Sequence, residues 1–460
     1  MAEWENIPRL DPALQDEIYN VQLKHNALVE AVRGYSGGSI AGKTNEVMGT
    51  HQDNLDTVAT REKTLLSAIG QPEPSPSMLL DFSSQTYFTG IRGLEQAVDP
   101  HKYLNVSRAT PKWVMGPQGK LVEVPPDTLA YEYDTVTGEA KGVLIEESRT
   151  NLLLWNEELN NSIWTKSTLS SSYDSEIAPD GSTTADVFEP SVNGVFQDAS
   201  VSPGTEYVFS VWVKLIDAST HYFGVYDRTN GNWIINAGSF TSDAVVGEWK
   251  RVSVSFTTPP GCVIVGCYTC RGSVDTGSQA IWGAQLEEGA SPSSYIPTTD
   301  SPVTRAADNV SRVLGDEFNP SEGTLYAEFY PGLDDTNSQV IFGVSDGTGS
   351  NRTLMRHTYA NDKRIQFISV RGGVVSAGQM VNILIDGLNK TALSYSQSGW
   401  ALAVNGYTYT LSEVAGDVIA TTAHLSNAPG SFQDNSTKKE VGYFPYAMTE
   451  TELQELTANG

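Results

Sequence analysis

The segment His221-Tyr-Phe-Gly-Val-Tyr-Asp-Arg-Thr-Asn-Gly-Asn-Trp-Ile-Ile-Asn crowds flat aromatic rings beside amide, carboxylate and guanidinium groups. That is the chemistry of sugar binding: ring faces cover the C–H surface of a pyranose, and polar groups hydrogen-bond its hydroxyls. Tyr222, Tyr226, Asp227, Arg228 and Trp233 are the candidates here. Trp212 joins them because it alternates with Ser210 and Lys214 on the less apolar face of its strand. The plain alternative is that each ring covers a sandwich core or edge. Trp282, in step with Ala280, Ala284 and Leu286, is assigned to a core. A second cluster, Arg352, Arg356, His357, Tyr359, Asn361 and Arg364, has the donors to read an anionic glycan through charge-assisted hydrogen bonds, or to form a solvated basic edge. From it Arg356, His357, Tyr359 and Arg364 are taken as further glycan-binding candidates.

Other constellations fall short of catalysis. A glycosidase needs two carboxylates across a cleft. The cluster Glu132, Asp134 and Glu139 misses the spacing E-x-D-x-x-E, and the adjacent pairs Glu146-Glu147, Glu157-Glu158 and Glu287-Glu288 point to opposite faces of any strand. There is no H-E-x-x-H, and no repeat of a parallel β-helix kind. The run Gly37 to Thr44 matches G-x-x-x-x-G-K-T, but it follows a helical pattern ending VEAVRGY rather than a buried strand, so no nucleotide is expected. Cys262, Cys267 and Cys270 lack the further ligands of a zinc site and read as core thiols. Asp334-Asp335 lacks a calcium-loop pattern, so neither a metal nor a cofactor is expected.

The formal charge of −26, from 55 acidic against 29 basic residues, repels a phosphate backbone and argues against nucleic acid. No stretch approaches the ~20 apolar residues of a membrane span, and no leader pattern opens the chain, so a soluble protein made in the cytoplasm is expected.

These residues need elements to hold them. Leu14, Ile18, Val21, His25, Leu28 and Val32, then Met48, His51, Leu55, Val58, Glu62, Leu65 and Ile69, step by fours and threes, a narrow seam suited to a parallel coiled coil around a glycine hinge at 34–42. The alternative is two helices packed on their own domain. The expected class is mainly β: an anchor and coiled-coil stalk over 1–70, a small β-rich connector over 71–150, and antiparallel β-sandwich (jelly-roll) domains over 151–300 and 301–460. Tyr207, Phe209, Val211, Val213 and Leu215 alternate on one face, as do Val252, Val254 and Phe256. Asn405-Gly406 marks a hairpin, and Thr449 with Glu452 a capping box over Leu453 and Leu456.

Three resemblances follow. SRATPKW, YEYDTVTGEAK and Gly142 to Leu153 (GVLIEESRTNLL) resemble a recurring structural segment of phage tail and fibre proteins. FSVWVK, GEWKRVSVSFTTP and IWGAQLEEG resemble the jelly-roll carbohydrate-binding modules. The hairpin at Asn405 with EVGYFPYAMTETELQEL resembles the concanavalin A-like and laminin-G-like sandwiches, a fold that hosts both binders and glucanases. Together they imply a non-enzymatic virion protein of a tailed bacteriophage. It would be a homotrimeric fibre subunit attached to other virion proteins by its N-terminus and binding host surface polysaccharide without membrane insertion. The alternatives are a baseplate or capsid decoration protein that binds no receptor, and a glycan-degrading tailspike.

Overall fold

The computed structural model of the chain describes residues 76–89, 96–166, 171–189, 194–239, 246–270, 277–332, 339–358, 363–382, 385–411, 416–429 and 433–458. They belong to one compact unit, Pro76–Gly460.

Strict alternation in Glu206–Leu215 and Trp249–Thr257 turns one face of each strand inward, and two antiparallel five-stranded sheets close over it. One sheet runs Thr165–Lys166, Val195–Ser200, Ile264–Cys270, Tyr222–Asp227, Asn232–Ser239. The other runs Ser171–Glu176, Ala185–Phe188, Gln279–Glu288, Glu206–Leu215, Trp249–Thr257. Phe209, Val211, Phe223, Val225, Val265 and Leu286 fill the space between them. All three cysteines are buried free thiols in that core.

A larger sandwich follows, but it is not built from the C-terminal part alone. Its ten-stranded sheet runs Tyr407–Leu411, Gly399–Val404, Asn389–Ser396, Gly323–Pro331, Ser436–Phe444, Met78–Asp81, Thr86–Thr89, Gln96–Ala97, while Ala140–Ile145 pairs with Ser436–Phe444 and carries Tyr131–Tyr133. The facing sheet has seven strands, Val374–Val381, Arg364–Arg371, Arg352–Thr358, Gln339–Ser345, Thr422–His424, Asn309–Val313 and Asn105–Ser107. Leu80, Tyr87, Phe329, Phe342, Phe367, Trp400 and Tyr443 pack between the two. Asn405 and Gly406 both adopt positive φ, 49° and 83°, at the hairpin between Gly399–Val404 and Tyr407–Leu411. The helix Glu450–Thr457 is closed by the reciprocal Thr449/Glu452 box and buries Leu453.

The expected fold class is corrected on two counts. The described residues are nearly all β, with one helix of seven or more residues, and that helix lies near the C-terminus; the expected N-terminal coiled-coil helices are not among the described elements. The seam positions Leu14 to Ile69 lie outside the described residues. The 71–150 segment, for its part, is no free-standing connector: it supplies strands to both sheets of the large sandwich. Its short apolar runs cannot bury a core by themselves, and pairing with Ser436–Phe444 and Asn309–Val313 satisfies their backbone and covers their faces.

Where the pieces meet lies a buried knot of charge. Asp308 receives Arg108 and Lys112, one on each oxygen at 2.8 Å, and also accepts the Glu146 N–H. Glu146 takes Lys112 at 2.8 Å and the Ser294 N–H at 2.7 Å, while Arg305 donates to the Glu147 carbonyl. All of Arg108, Lys112, Glu146, Arg305 and Asp308 are at most 5 % exposed. Burial alone would raise the Glu146 carboxyl, but Arg305 and Lys112 hold it far below the ordinary carboxylate range. The SRATPKW and GVLIEESRTNLL segments thus supply much of the joint between sandwiches. Asn151 extends it by donating to the Ala284 and Ile296 carbonyls.

Candidate functional site

The outward face of the sheet that contains Tyr222–Asp227 carries a platform of rings. Strand alternation sends Val195, Val225, Val265 and Cys267 inward, which turns their neighbours Phe196, Asp198, Gly224, Tyr226, Gly266 and Tyr268 outward. The register then sets them side by side: Phe196 opposite Tyr268, Tyr268 opposite Gly224, Asp198 and Tyr226 flanking Gly266, and Tyr226 opposite Trp233. Phe196 and Tyr268 stack with centroids 4.5 Å apart, while Trp233 lies 5.0 Å from both Tyr226 and Tyr268.

Arg228 lies across the middle. Its guanidinium carbon sits 4.3 Å from the Phe196 centroid and 5.3 and 5.6 Å from those of Tyr226 and Tyr268. Nε donates to Asp198 Oδ1 at 2.7 Å, and about a quarter of the Arg228 side chain stays open to solvent, 25 % by relative exposure. Two glycines make the room. A Cβ at Gly266 would stand 2.8 Å from Arg228 Nε, and one at Gly224 would stand 3.1 Å from the Trp233 ring. The Asp198 side chain is half exposed, so it has acceptor capacity left. The patch thus offers aromatic surface, a fixed cationic fork and a carboxylate together, the set of groups that contacts both the C–H face and the hydroxyls of a sugar.

Of the sequence candidates, Tyr226, Arg228 and Trp233 are brought together here, and Tyr222 lies one rung away on the same face, opposite Ser239. Asp227 faces inward and shapes the hairpin instead, accepting the N–H groups of Thr229 and Asn230 at 2.9 Å. Burial would raise its carboxyl, but those bonds and the Asn230 side chain hold it below the usual range. Trp212 sits elsewhere, on the outer side of the other sheet. It is sealed against Trp282, Tyr295 and Leu121 beneath the hairpin of Lys112–Met115 and Leu121–Val124. Phe196, Asp198 and Tyr268 were not among the candidates. Alternation does place Phe196 and Tyr268 outside, but only the cross-strand register brings them to Arg228.

The second cluster divides by strand parity. Arg356 and Arg364 share the outer face of the seven-stranded sheet; Arg356 donates to Gln366 at 2.7 Å, and Arg364 lies 3.2 Å from the Met380 sulfur. His357 points the other way, into the core, 3.5 Å from Asp434 and 5.3 Å from the Phe329 centroid; burial lowers its pKa. Tyr359, Asn361 and Asp334-Asp335 lie outside the described residues.

Residues 157–265 match the family model of a carbohydrate binding domain. The span covers most of the five-stranded pair and includes every residue named in the aromatic platform except Gly266 and Tyr268, which follow it directly. This sandwich is therefore similar to a carbohydrate binding domain over that span. Among solved structures, a CBM40 domain of the Ruminococcus gnavus IT-sialidase bound to α2,3-sialyllactose is 15 % identical, covering 30 % of this chain and 84 % of its own, with a TM-score of 0.25. The leech intramolecular trans-sialidase is 16 % identical over 31 % of this chain and 24 % of its own, at 0.26. A SAP-like pentraxin from Limulus polyphemus is 14 % identical over 29 % and 68 %, at 0.24. No curated protein matches the chain.

Proposed function

We propose that this chain is a non-enzymatic glycan-binding protein of the bacteriophage fibre or appendage kind, which presents the Phe196/Tyr226/Arg228/Trp233/Tyr268 platform to host surface polysaccharide. The observation that carries the binding reading is the coincidence of that outward ring cluster with the segment that matches a carbohydrate binding domain. The appendage reading draws on the resemblance of SRATPKW and GVLIEESRTNLL to phage tail and fibre proteins. In this reading, copies gathered as a homotrimer on the virion multiply a weak shallow site by avidity.

Binding is favoured over hydrolysis because the carboxylates with the best sequence claim to chemistry are engaged in structure. Asp134 accepts the N–H groups of Val136 and Thr137 in a turn, and Glu287 is held by Gln285 and Ser293. The test is a panel of neutral and acidic polysaccharides presented to the full chain and to Trp233→Ala in affinity electrophoresis. Retardation by at least one polymer that the variant loses by about tenfold or more supports the platform. Equal retardation of both chains removes it from the site. Release of reducing ends from a bound polymer would overturn the non-enzymatic part, and light scattering of the full chain reads the assembly.

A further inference from the structure

The large sandwich holds a feature that the aromatic platform does not use. At the edge of the seven-stranded sheet, Asn105–Ser107 pairs with Asn309–Val313 so that Ser107 stands opposite Asn309 and Asn105 opposite Ser311. Between them Val310 points into the core at 2 % exposure, so alternation turns Asn309 and Ser311 outward, together with their partners across the strand pair. These four side chains line a cleft of about 830 Å³, completed by groups that include His101, His424, Asn427 and Pro429.

Three properties narrow what such a cleft would hold. Its lining contains no Lys, Arg, Asp or Glu, which gives neither a phosphate nor a metal ion a counter-charge. Among the described residues, the side chains of Asn105, Ser107, Asn309 and Ser311 make no internal hydrogen bond, so two amides and two hydroxyls are available as donors and acceptors. By contrast, Asn389 and Asn151 spend theirs on backbone groups of the fold. One wall is fixed in place: His424 is 8 % exposed, with Nε2 held 2.8 Å from Ser345 Oγ, and burial favours its neutral form. The volume lies within the range of small-ligand sites.

We infer that this cleft is a second saccharide site, for an uncharged, polyhydroxylated ligand of one to a few sugar units. It stands on residues of the other sandwich and does not depend on the aromatic platform being a site. An uncharged ligand also escapes the repulsion of a chain carrying −26. Recognition differs in kind: amides and hydroxyls read the sugar's rim, where the platform covers its face. Two unlike sites on one chain would let a single polymer be held at two points, with the gain of effective concentration that linkage brings.

The experiment uses the full chain and neutral probes, the gluco-, xylo-, manno- and galacto-pentaoses, in isothermal titration. The Trp233→Ala chain, with the platform disabled, is expected to retain binding to at least one probe. Adding Ser311→Trp, which fills the cleft from an outward position, is expected to abolish that binding. Asn309→Ala, a gentler change at an exposed residue, is expected to weaken it by about tenfold, and unchanged near-ultraviolet circular dichroism checks that each variant folds. The inference is overturned if Trp233→Ala binds none of the probes, or if its binding survives both Ser311→Trp and Asn309→Ala. Failure of the platform reads differently: Trp233→Ala then binds as the unaltered chain does, and Ser311→Trp alone removes all binding.

Discussion

Arg108 and Arg228 each face an aspartate, Asp308 at 2.8 Å and Asp198 at 2.7 Å, yet their surroundings assign them different work. Arg108 is enclosed, and its guanidinium also donates to the carbonyls of Thr110, Thr128 and Pro125. It has little left to offer a partner. Arg228 lies partly open on three aromatic rings, beside an aspartate half open to water. The same ion pair is structural when the fold encloses it and satisfies its donors, and open to recognition when its carboxylate and the rings beside it face water.

Breaking the enclosed pair should have the largest effect. Asp308→Ala leaves Arg108 and Lys112 buried without their shared carboxylate, and the expected loss is about 3–5 kcal/mol, read as a lowered urea midpoint. A midpoint within experimental error of the parent's would show that the knot is dispensable. Acid probes the same knot through a gentler route. The Glu146 carboxyl is depressed in the fold from its ordinary 4.5, so the stability it contributes is complete above about pH 4.5 and is lost as pH falls below that toward the folded value. Urea midpoints of the parent should therefore drop more steeply between about pH 5 and 3 than those of Glu146→Gln; parallel curves would contradict the assignment.

On the open side, Trp233→Ala should weaken polysaccharide binding by about tenfold, about 1.4 kcal/mol, while leaving the urea midpoint nearly unchanged. A variant that loses stability and binding together would make the ring part of the core. The smallest effect is expected from Arg228→Lys, which keeps the charge but loses the planar fork over the rings. A decrease of about 0.5–1 kcal/mol in binding free energy is expected by titration, and no decrease would mean that charge alone is read.

The sequence made the local features legible and left the long-range ones hidden. Alternation in Tyr207 to Leu215 revealed a sandwich strand, and Asn405-Gly406 and Thr449/Glu452 announced their hairpin and cap, because each depends on residues within a few positions of one another. Trp212 was misread for the opposite reason. Its strand face looks half polar in isolation, and what covers it is a hairpin some ninety residues earlier in the chain, around Leu121. His357 differs from Arg356 by one step of the pleat, which a list of clustered residue types ignores. The platform was half visible: the rings of Tyr222–Asp227 and Asn232–Ser239 lie on adjacent strands of a hairpin, whereas Phe196 and Tyr268 arrive through pairings that only the folded sheet defines.

The placement of Ser436–Phe444 has a consequence in time. This strand lies between Gly323–Pro331 and Met78–Asp81 in the ten-stranded sheet, so Asp81 waits for Glu440, about 360 residues downstream. At ordinary ribosomal speeds of ~5–20 residues per second that is a delay of roughly 20–70 s, during which the early strands have emerged but lack their neighbour. The five-stranded pair is complete long before then and is free to fold while the chain is still being made. The larger sandwich closes only once Ser436–Phe444 has emerged, which makes that strand the clasp that joins Met78–Asp81, Ala140–Ile145 and Gly323–Pro331.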